Sequence, residues 1–229
     1  MDHLDNNYAA YYESKEVGYL YPAEFVVRAL LGSYSDLPRE HKNYSNLRAL
    51  DLGCGDGRNI PLLTQLGFEV VGLEIDRHIV EKCRQNLNYN NVKAELVVGS
   101  NSNTKLPKES FDVVIACHSC YYLSSNDSFH DNLQEIHTIL KPRGSFIFSI
   151  PTSSSYLLDT ADICDDGYAV IRNDPLRIRN GARIKYFSTI HEIHMTLAPL
   201  FTDIHIAKCE NNWWGINEHC WVVVCLRSI

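Results

Sequence analysis

The residues with the most chemical content lie in one run, Leu50-Asp51-Leu52-Gly53-Cys54-Gly55-Asp56-Gly57, and in Glu74, seventeen positions beyond Gly57. Glycines at alternate positions let a backbone turn sharply and approach a ligand closely. A helix beginning just beyond them adds the free N–H groups of its first turn. The run follows the apolar segment 47–52, and Glu74 follows the apolar segment 68–73, so both sit at the ends of expected strands. An acidic residue at such a strand end can accept both hydroxyls of a ribose. Together these residues point to a nucleoside-bearing cofactor.

Spacing and charge narrow the nucleoside. The dinucleotide fingerprint places two residues between its second and third glycines, whereas only Asp56 stands between Gly55 and Gly57. Asp51 and Asp56 bracket the loop. Two carboxylates repel a pyrophosphate but attract the ammonium and sulfonium of S-adenosylmethionine. No Gly-Lys-Ser or Gly-Lys-Thr phosphate loop is present. The pattern favours S-adenosylmethionine over NAD, and an NAD-dependent oxidoreductase is kept as a minor alternative.

Further candidates surround this loop. Cys117-His118-Ser119-Cys120-Tyr121-Tyr122 follows an apolar run at 111–116, and His118 titrates near neutrality, which suits a general base or a group that holds the cofactor. Cys117 and Cys120 have the spacing of a redox or zinc pair, but no second pair repeats it. His191 and His194 are one residue short of the spacing that puts two histidines on one helical face around zinc. No metal is expected, and the eight cysteines, scattered through a chain without a secretory leader, are expected to be reduced and mostly buried. Tyr8, Tyr11 and Tyr12 can present aromatic faces to a sulfonium and hydroxyls to an acceptor. A basic series, Arg172, Arg177, Arg179, Arg183 and Lys185, can hold an anionic acceptor or form a solvated face. An acidic group, Asp159, Asp162, Asp165 and Asp166, stands beside it.

The elements that must position these residues alternate. Apolar runs at 47–52, 68–73, 94–98, 111–116 and 144–150 read as strands, and helical patterns fall at 58–66, 77–87 and 128–140 between them. Such alternation predicts a parallel sheet covered on both faces. A helix at 190–200 and two further apolar runs, 201–207 and 220–226, predict a closing antiparallel hairpin. Residues 1–46 form an aromatic, irregular cap segment apart from a helix at 22–31 that Gly32 ends; 47–229 form the main domain. Residues 152–186 break the alternation and are expected to cover a substrate.

Composition sets the outer limits. A chain of 229 residues with 45% hydrophobic and 21% charged residues can bury a sizeable core, which excludes disorder. A net charge of −7 argues against a nucleic-acid partner, which needs a basic footprint. No apolar run approaches the roughly 20 residues that span a bilayer. The polar, acidic start of the chain does not resemble a signal peptide, so a cytoplasmic location is expected.

Residues 49–150 resemble the class I S-adenosylmethionine-dependent methyltransferases, in particular those acting on small molecules. The resemblance rests on Asp51-Leu52-Gly53-Cys54-Gly55-Asp56-Gly57, Val71-Gly72-Leu73-Glu74-Ile75-Asp76, Leu106-Pro107 through Phe111-Asp112-Val113-Val114, and Leu140-Lys141-Pro142-Arg143-Gly144. It implies a Rossmann-like, doubly wound α/β fold whose seven-stranded sheet is mostly parallel with an antiparallel last strand. It also implies that Asp51, Gly53 and Gly55 line the methionine part of the cofactor, that Glu74 holds the ribose and that Ile75 packs on adenine. Cys54 in the loop and Cys117 after the fourth strand are counted with these cofactor residues. Where the family often has an acidic residue after the third strand, this chain has Ser100 and Asn101, and an Asn carbonyl can accept the same hydrogen bond from adenine. His118 and Tyr12 are the candidate catalytic residues. The activity implied is methyl transfer to O or N of a small or medium-sized molecule, leaving S-adenosylhomocysteine. Protein methylation and a non-catalytic S-adenosylmethionine-binding role are the alternatives. The Asn/Asp-Pro-Pro-Tyr motif of base-modifying amino methyltransferases is replaced by Cys117-His118-Ser119-Cys120. The acceptor and the oligomeric state leave no pattern in the sequence.

Overall fold

The computed structural model describes residues 3–37, 43–124, 126–164 and 167–229, with the side chains of 3–7 excepted. Asp165 and Asp166 of the acidic group, and Met1 and Asp2 of the chain start, lie outside the described residues. The elements run α1 (His3–Ser14), α2 (Glu24–Leu31), β1 (Arg48–Leu52), α3 (Ile60–Gln65), β2 (Glu69–Glu74), α4 (Arg77–Tyr89), β3 (Glu95–Val98) and β4 (Phe111–Ala116). They continue with β5 (Tyr122–Leu123), α5 (Phe129–Ile139), β6 (Leu140–Pro151), β7 (Asp162–Ile163), β8 (Tyr168–Val170), β9 (Arg183–Lys185), α6 (Ile190–Leu197), β10 (Phe201–Trp213) and β11 (Ile216–Arg227).

Seven strands form one sheet in the order β10-β11-β6-β4-β1-β2-β3. The β3-β2-β1-β4-β6 portion is parallel, and β11 enters antiparallel between β6 and β10. This is the expected sheet, with β10 and β11 as the closing hairpin. Alternate residues of its strands face opposite layers. Ala49, Val113, Ile115 and Ile147 pack with residues of α2, α3 and α4, whereas Leu50, Leu52, Val114 and Ala116 pack with those of α5 and α6. Both faces are covered, which is why the parallel strands are near-continuous apolar runs. Strand order reverses between β1 and β4, so a crevice opens beyond the carboxyl ends of these two strands.

Local chemistry sets the helix starts. The Asp76 carboxylate accepts from the amides of His78 (2.7 Å) and Ile79 (3.3 Å) and caps α4. Ser128 and Asp131 exchange the two hydrogen bonds of a capping box at α5. Thr189 caps α6, leaving His191 and His194 exposed on its surface.

Two segments depart from expectation. The first part of the cap segment is a helix, α1, rather than irregular chain. Residues 152–186 contribute β7, β8 and β9, which with β5 make a second, four-stranded antiparallel sheet in the order β5-β9-β8-β7. Strands of two or three residues are too short to show a period of two. This small sheet shares the main core: Ala169, Ala182, Ile184 and Phe187 belong to the same buried cluster as Leu50 and Phe148.

Candidate functional site

The crevice beyond β1 and β4 is a cavity of about 570 Å³, within the roughly 300–1,000 Å³ usual for small-ligand sites. Its walls include the loop after β1, Glu74 and Ile75 after β2, the 99–102 turn after β3, the 117–124 segment after β4, three tyrosines of α1 and residues of the small sheet and of β11.

The glycine loop is held by the chain itself. Gly53 and Cys54 donate their amides to the Leu73 carbonyl at 2.8 and 3.0 Å, tying the loop to β2. Gly53 and Gly55 both have positive φ, 67° and 56°, a region that side chains rarely adopt. A Cβ at Gly53 would strike the Ser119 side chain, and one at Gly55 would strike the Tyr12 hydroxyl. Gly53 is thus required by close packing of the post-β4 segment, and Gly55 faces the cavity beneath α1. Cys54 is buried, and its thiol pairs with that of Cys83 under the loop, so only the main chain of Cys54 is offered to a ligand.

Asp51 sits fully buried at the end of β1, and neither of its carboxylate oxygens has a hydrogen-bond partner. Burial pushes its pKa up to about 7, opposed by the neighbouring Asn59 amide and Arg58 and reinforced by Glu74 and Asp56. Asp51 itself does not line the cavity; it lies buried next to the lining residues Gly53 and Asn59, and a buried carboxylate without a partner favours a cationic or proton-donating group nearby. Asp56 differs, because Lys15 pairs with it at 3.1 Å while the same ammonium lies 4.6 and 4.9 Å from the ring centres of Tyr11 and Tyr12. Of the two carboxylates that bracket the loop, Asp56 lines the cavity but is paired with Lys15, and Asp51 lies buried with no ion-pair partner among the described residues. The α1 tyrosine faces are already engaged by a cation of the protein.

Glu74 is 9% exposed and receives the Gly55 amide on Oε1 (3.0 Å) and the Ile75 amide on Oε2 (2.8 Å). Ile75, 46% exposed although apolar, lies beside it on the wall. Across the cavity, Asn101 donates through Nδ2 to the carbonyls of Ser119 (2.9 Å) and Tyr122 (3.3 Å), which fixes its amide and leaves Oδ1 as the acceptor. Ser100 closes the same turn by exchanging backbone hydrogen bonds with Asn103.

The segment after β4 carries the other candidates. Cys117 is packed near Asp51, and burial first, then that carboxylate, pushes its thiol up to about 12, so it is not a nucleophile at neutral pH. His118 has φ 55°, an unusual backbone for a residue with a side chain. The Ser149 hydroxyl accepts the His118 amide at 2.9 Å and lies 3.1 Å from Nδ1. The other ring nitrogen, Nε2, faces Glu218 Oε1 at 3.8 Å. Burial lowers the His118 pKa despite Glu218, so the ring is neutral at pH 7. Tyr12 reaches over Gly55; burial first, then Glu74 and Asp56, raises its pKa, so its hydroxyl is a donor and not a phenolate base.

Sequence reasoning missed several cavity residues. Lys15 and Glu218 belong to no motif, and only folding brings them to the cavity, as it brings the buried Ser149 against His118. Of the basic series, Arg179 alone lines the cavity. Arg172 pairs with Asp162, and Arg183 and Lys185 lie over the Tyr168 ring. Among the described residues no cluster of side chains has the make-up of a metal site, and no helix is long and apolar enough to cross a membrane.

Comparison with known proteins agrees with this geometry. Residues 50–148 match a family described as a methyltransferase domain. The chain is 27% identical over 106 residues to a putative methyltransferase, YqeM, of Bacillus subtilis (strain 168), covering 46% of this chain and 43% of that protein. It is 29% identical over 134 residues to a ubiquinone biosynthesis O-methyltransferase of Ruegeria pomeroyi, covering 55% of this chain and 50% of that one. The chain thus spans about half the length of the curated relatives it matches. A solved SAM-dependent methyltransferase of Methanosarcina mazei superposes with a TM-score of 0.64 at 19% identity, over 82% of this chain and 96% of its own. That likeness is one of fold, including the mostly parallel seven-stranded sheet. Residues 50–148 thus match the methyltransferase-domain family, within a sheet that has the fold of solved SAM-dependent methyltransferases.

Proposed function

We propose that this protein transfers a methyl group from S-adenosylmethionine to an oxygen or nitrogen of a small molecule. The observation that carries the proposal is a pair of carboxylates at the ends of neighbouring strands beside the glycine loop: Asp51, buried and with no hydrogen-bond partner among the described residues, and Glu74 on the cavity wall. Asp51 suits the cofactor's ammonium, Glu74 its ribose hydroxyls, Ile75 the adenine face and Asn101 Oδ1 the adenine amino group. The cofactor supplies a methyl group already activated by a sulfonium, so the protein's task is alignment and exclusion of water. Tyr8, Tyr11 and Tyr12 roof the cavity from α1 and exclude solvent. His118 and Glu218 both line the cavity, and the Glu218 carboxylate is the group placed to take the proton that a hydroxyl or amine acceptor gives up as it is methylated, with His118 beside it. The small-molecule acceptor is supported by the size of the cavity and by the O-methyltransferase named among the relatives.

Thermal unfolding with S-adenosylmethionine, S-adenosylhomocysteine and NAD in parallel tests this. A ligand at about 100 times its Kd adds roughly 2.7 kcal/mol, which raises the Tm of a chain this size by several degrees at about 2–4 °C per kcal/mol. The rise is expected with both adenosyl ligands, not with NAD, and is lost in Glu74→Ala. No rise with either adenosyl ligand would sink the proposal.

A further inference from the structure

The half of the cavity away from Glu74 contains a charge that the protein leaves partly unmet. Arg179 comes from the loop between β8 and β9, and its side chain is only 18% exposed. Its Nε donates to the Tyr122 hydroxyl oxygen at 3.1 Å, and Nη1 stands 3.4 Å from both oxygens of Asp174. Nη2 has no partner among the described residues. Asp174 is a diluted counter-charge: its fully buried carboxylate already receives the amides of Leu176, Ile178 and Arg179 at 3.3, 3.0 and 2.9 Å. A buried guanidinium met by one long, shared contact is costly unless something else completes it.

Tyr122 points to the same place. Its hydroxyl oxygen accepts from Tyr8 (2.8 Å) and from Arg179, which places this phenol beside the guanidinium on the cavity wall. The Nη2 group and the Tyr122 hydroxyl therefore stand together on one wall, next to Tyr156 and Ile178. A carboxylate fits there, with charge-assisted bonds from the guanidinium. A dianionic phosphate fits less well, since Glu218 shares the cavity and Lys15 is committed to Asp56.

Resting on the methyltransferase reading above, we propose that the methyl acceptor carries a carboxylate, gripped by Arg179 and Tyr122, on an aromatic or otherwise apolar body. The carboxylate is a handle and not the nucleophile, because pairing with a guanidinium lowers its reactivity; a hydroxyl or amine elsewhere on the molecule receives the methyl group.

Calorimetry on the full chain tests this without knowledge of the natural acceptor. S-adenosylhomocysteine is titrated first; if it does not bind, the methyltransferase reading fails and this proposal falls with it. With that ligand saturating, 4-hydroxybenzoate, 4-aminobenzoate, indole-3-acetate and octanoate are each compared with their carboxamides. The acids are expected to bind about 10–100-fold more tightly, the range of a charged hydrogen bond. Arg179→Met should abolish that preference and Arg179→Lys should keep part of it, with S-adenosylhomocysteine affinity unchanged in both as the control for folding. Equal binding of acid and amide, a preference that survives Arg179→Met, or binding of S-adenosylhomocysteine but of no acid would each overturn the proposal.

Discussion

At the scale of single residues, Asp51 makes the site's dependence on pH calculable. Its folded-state pKa of about 7 lies above the ordinary 3.8, so between these values the folded chain holds a proton that the unfolded chain has lost. Stability from this group is therefore present at low pH and declines as pH rises through about 7. Asp51→Asn removes the burden, and the unliganded variant should gain stability over wild type at pH 8 more than at pH 5, as urea titrations at both pH values would reveal. Binding of an ammonium runs the other way, because it needs the ionised carboxylate. S-adenosylhomocysteine affinity should climb from pH 5 to about 7 by nearly tenfold per unit and then level off, while Asp51→Asn stays low and flat. A parallel climb in the variant would remove Asp51 from the cofactor site. Asp51 and Glu74 were legible in the sequence because residue type and strand end together state their chemistry. That Asp56 is neutralised was not legible, since Lys15 lies 41 positions away and meets it only when α1 folds over the loop. Glu218 and Arg179 were equally hidden as cavity groups, one on a hairpin strand and one in a loop whose cations look alike in sequence.

At the scale of elements, the site depends on how strands end and helices begin. Asp76 caps α4 two residues after Glu74, so the same turn that starts the helix fixes Ile75 and the Glu74 carboxylate. Ser128 caps α5 with comparable bonds, but on an element that offers the cavity no cofactor residue. Asp76→Ala and Ser128→Ala should each cost about 1 kcal/mol of stability. Only Asp76→Ala should also weaken S-adenosylhomocysteine binding in a direct titration. Equal effects of both variants on binding would mean that the turn after β2 does not position the cofactor. The strands and long helices were readable because burial on both faces writes continuous apolar runs and periods of 3.6 into the sequence. The small sheet was not, since β5, β7, β8 and β9 offer two or three residues each and their partner, β5, lies in a different part of the chain. α1 was hidden for another reason. Tyr8, Tyr11 and Tyr12 are shared between ring contacts and hydroxyl contacts with the cavity, so the helix carries no plain apolar stripe.

At the scale of the molecule, the two coverings of the cavity are attached differently, and this decides which of them can move. The small sheet is continuous with the main core: Ile184 and Phe187 are fully buried in it, and the Trp221 indole of β11 donates to the Phe187 carbonyl at 2.9 Å. Opening this sheet exposes core apolar surface at about 25 cal/mol per Å². Among the described residues, the links of α1 and of Lys15 just after it include polar ones at the cavity edge: Tyr8 to Tyr122, Lys15 to Asp56, and the Lys82 ammonium to the Lys15 carbonyl. Such links exchange for water at little net cost. Native-state hydrogen exchange should then find the amides of Ala169 and Ile184 opening with nearly the free energy of global unfolding, while those of α1 open several kcal/mol more easily. Adding S-adenosylhomocysteine should slow exchange in α1 well beyond its effect on the small sheet, because ligand and helix close the same cavity. If the β8 and β9 amides instead exchanged as readily as those of α1, the small sheet would be the moving cover, and access to the acceptor wall bearing Arg179 would be controlled there.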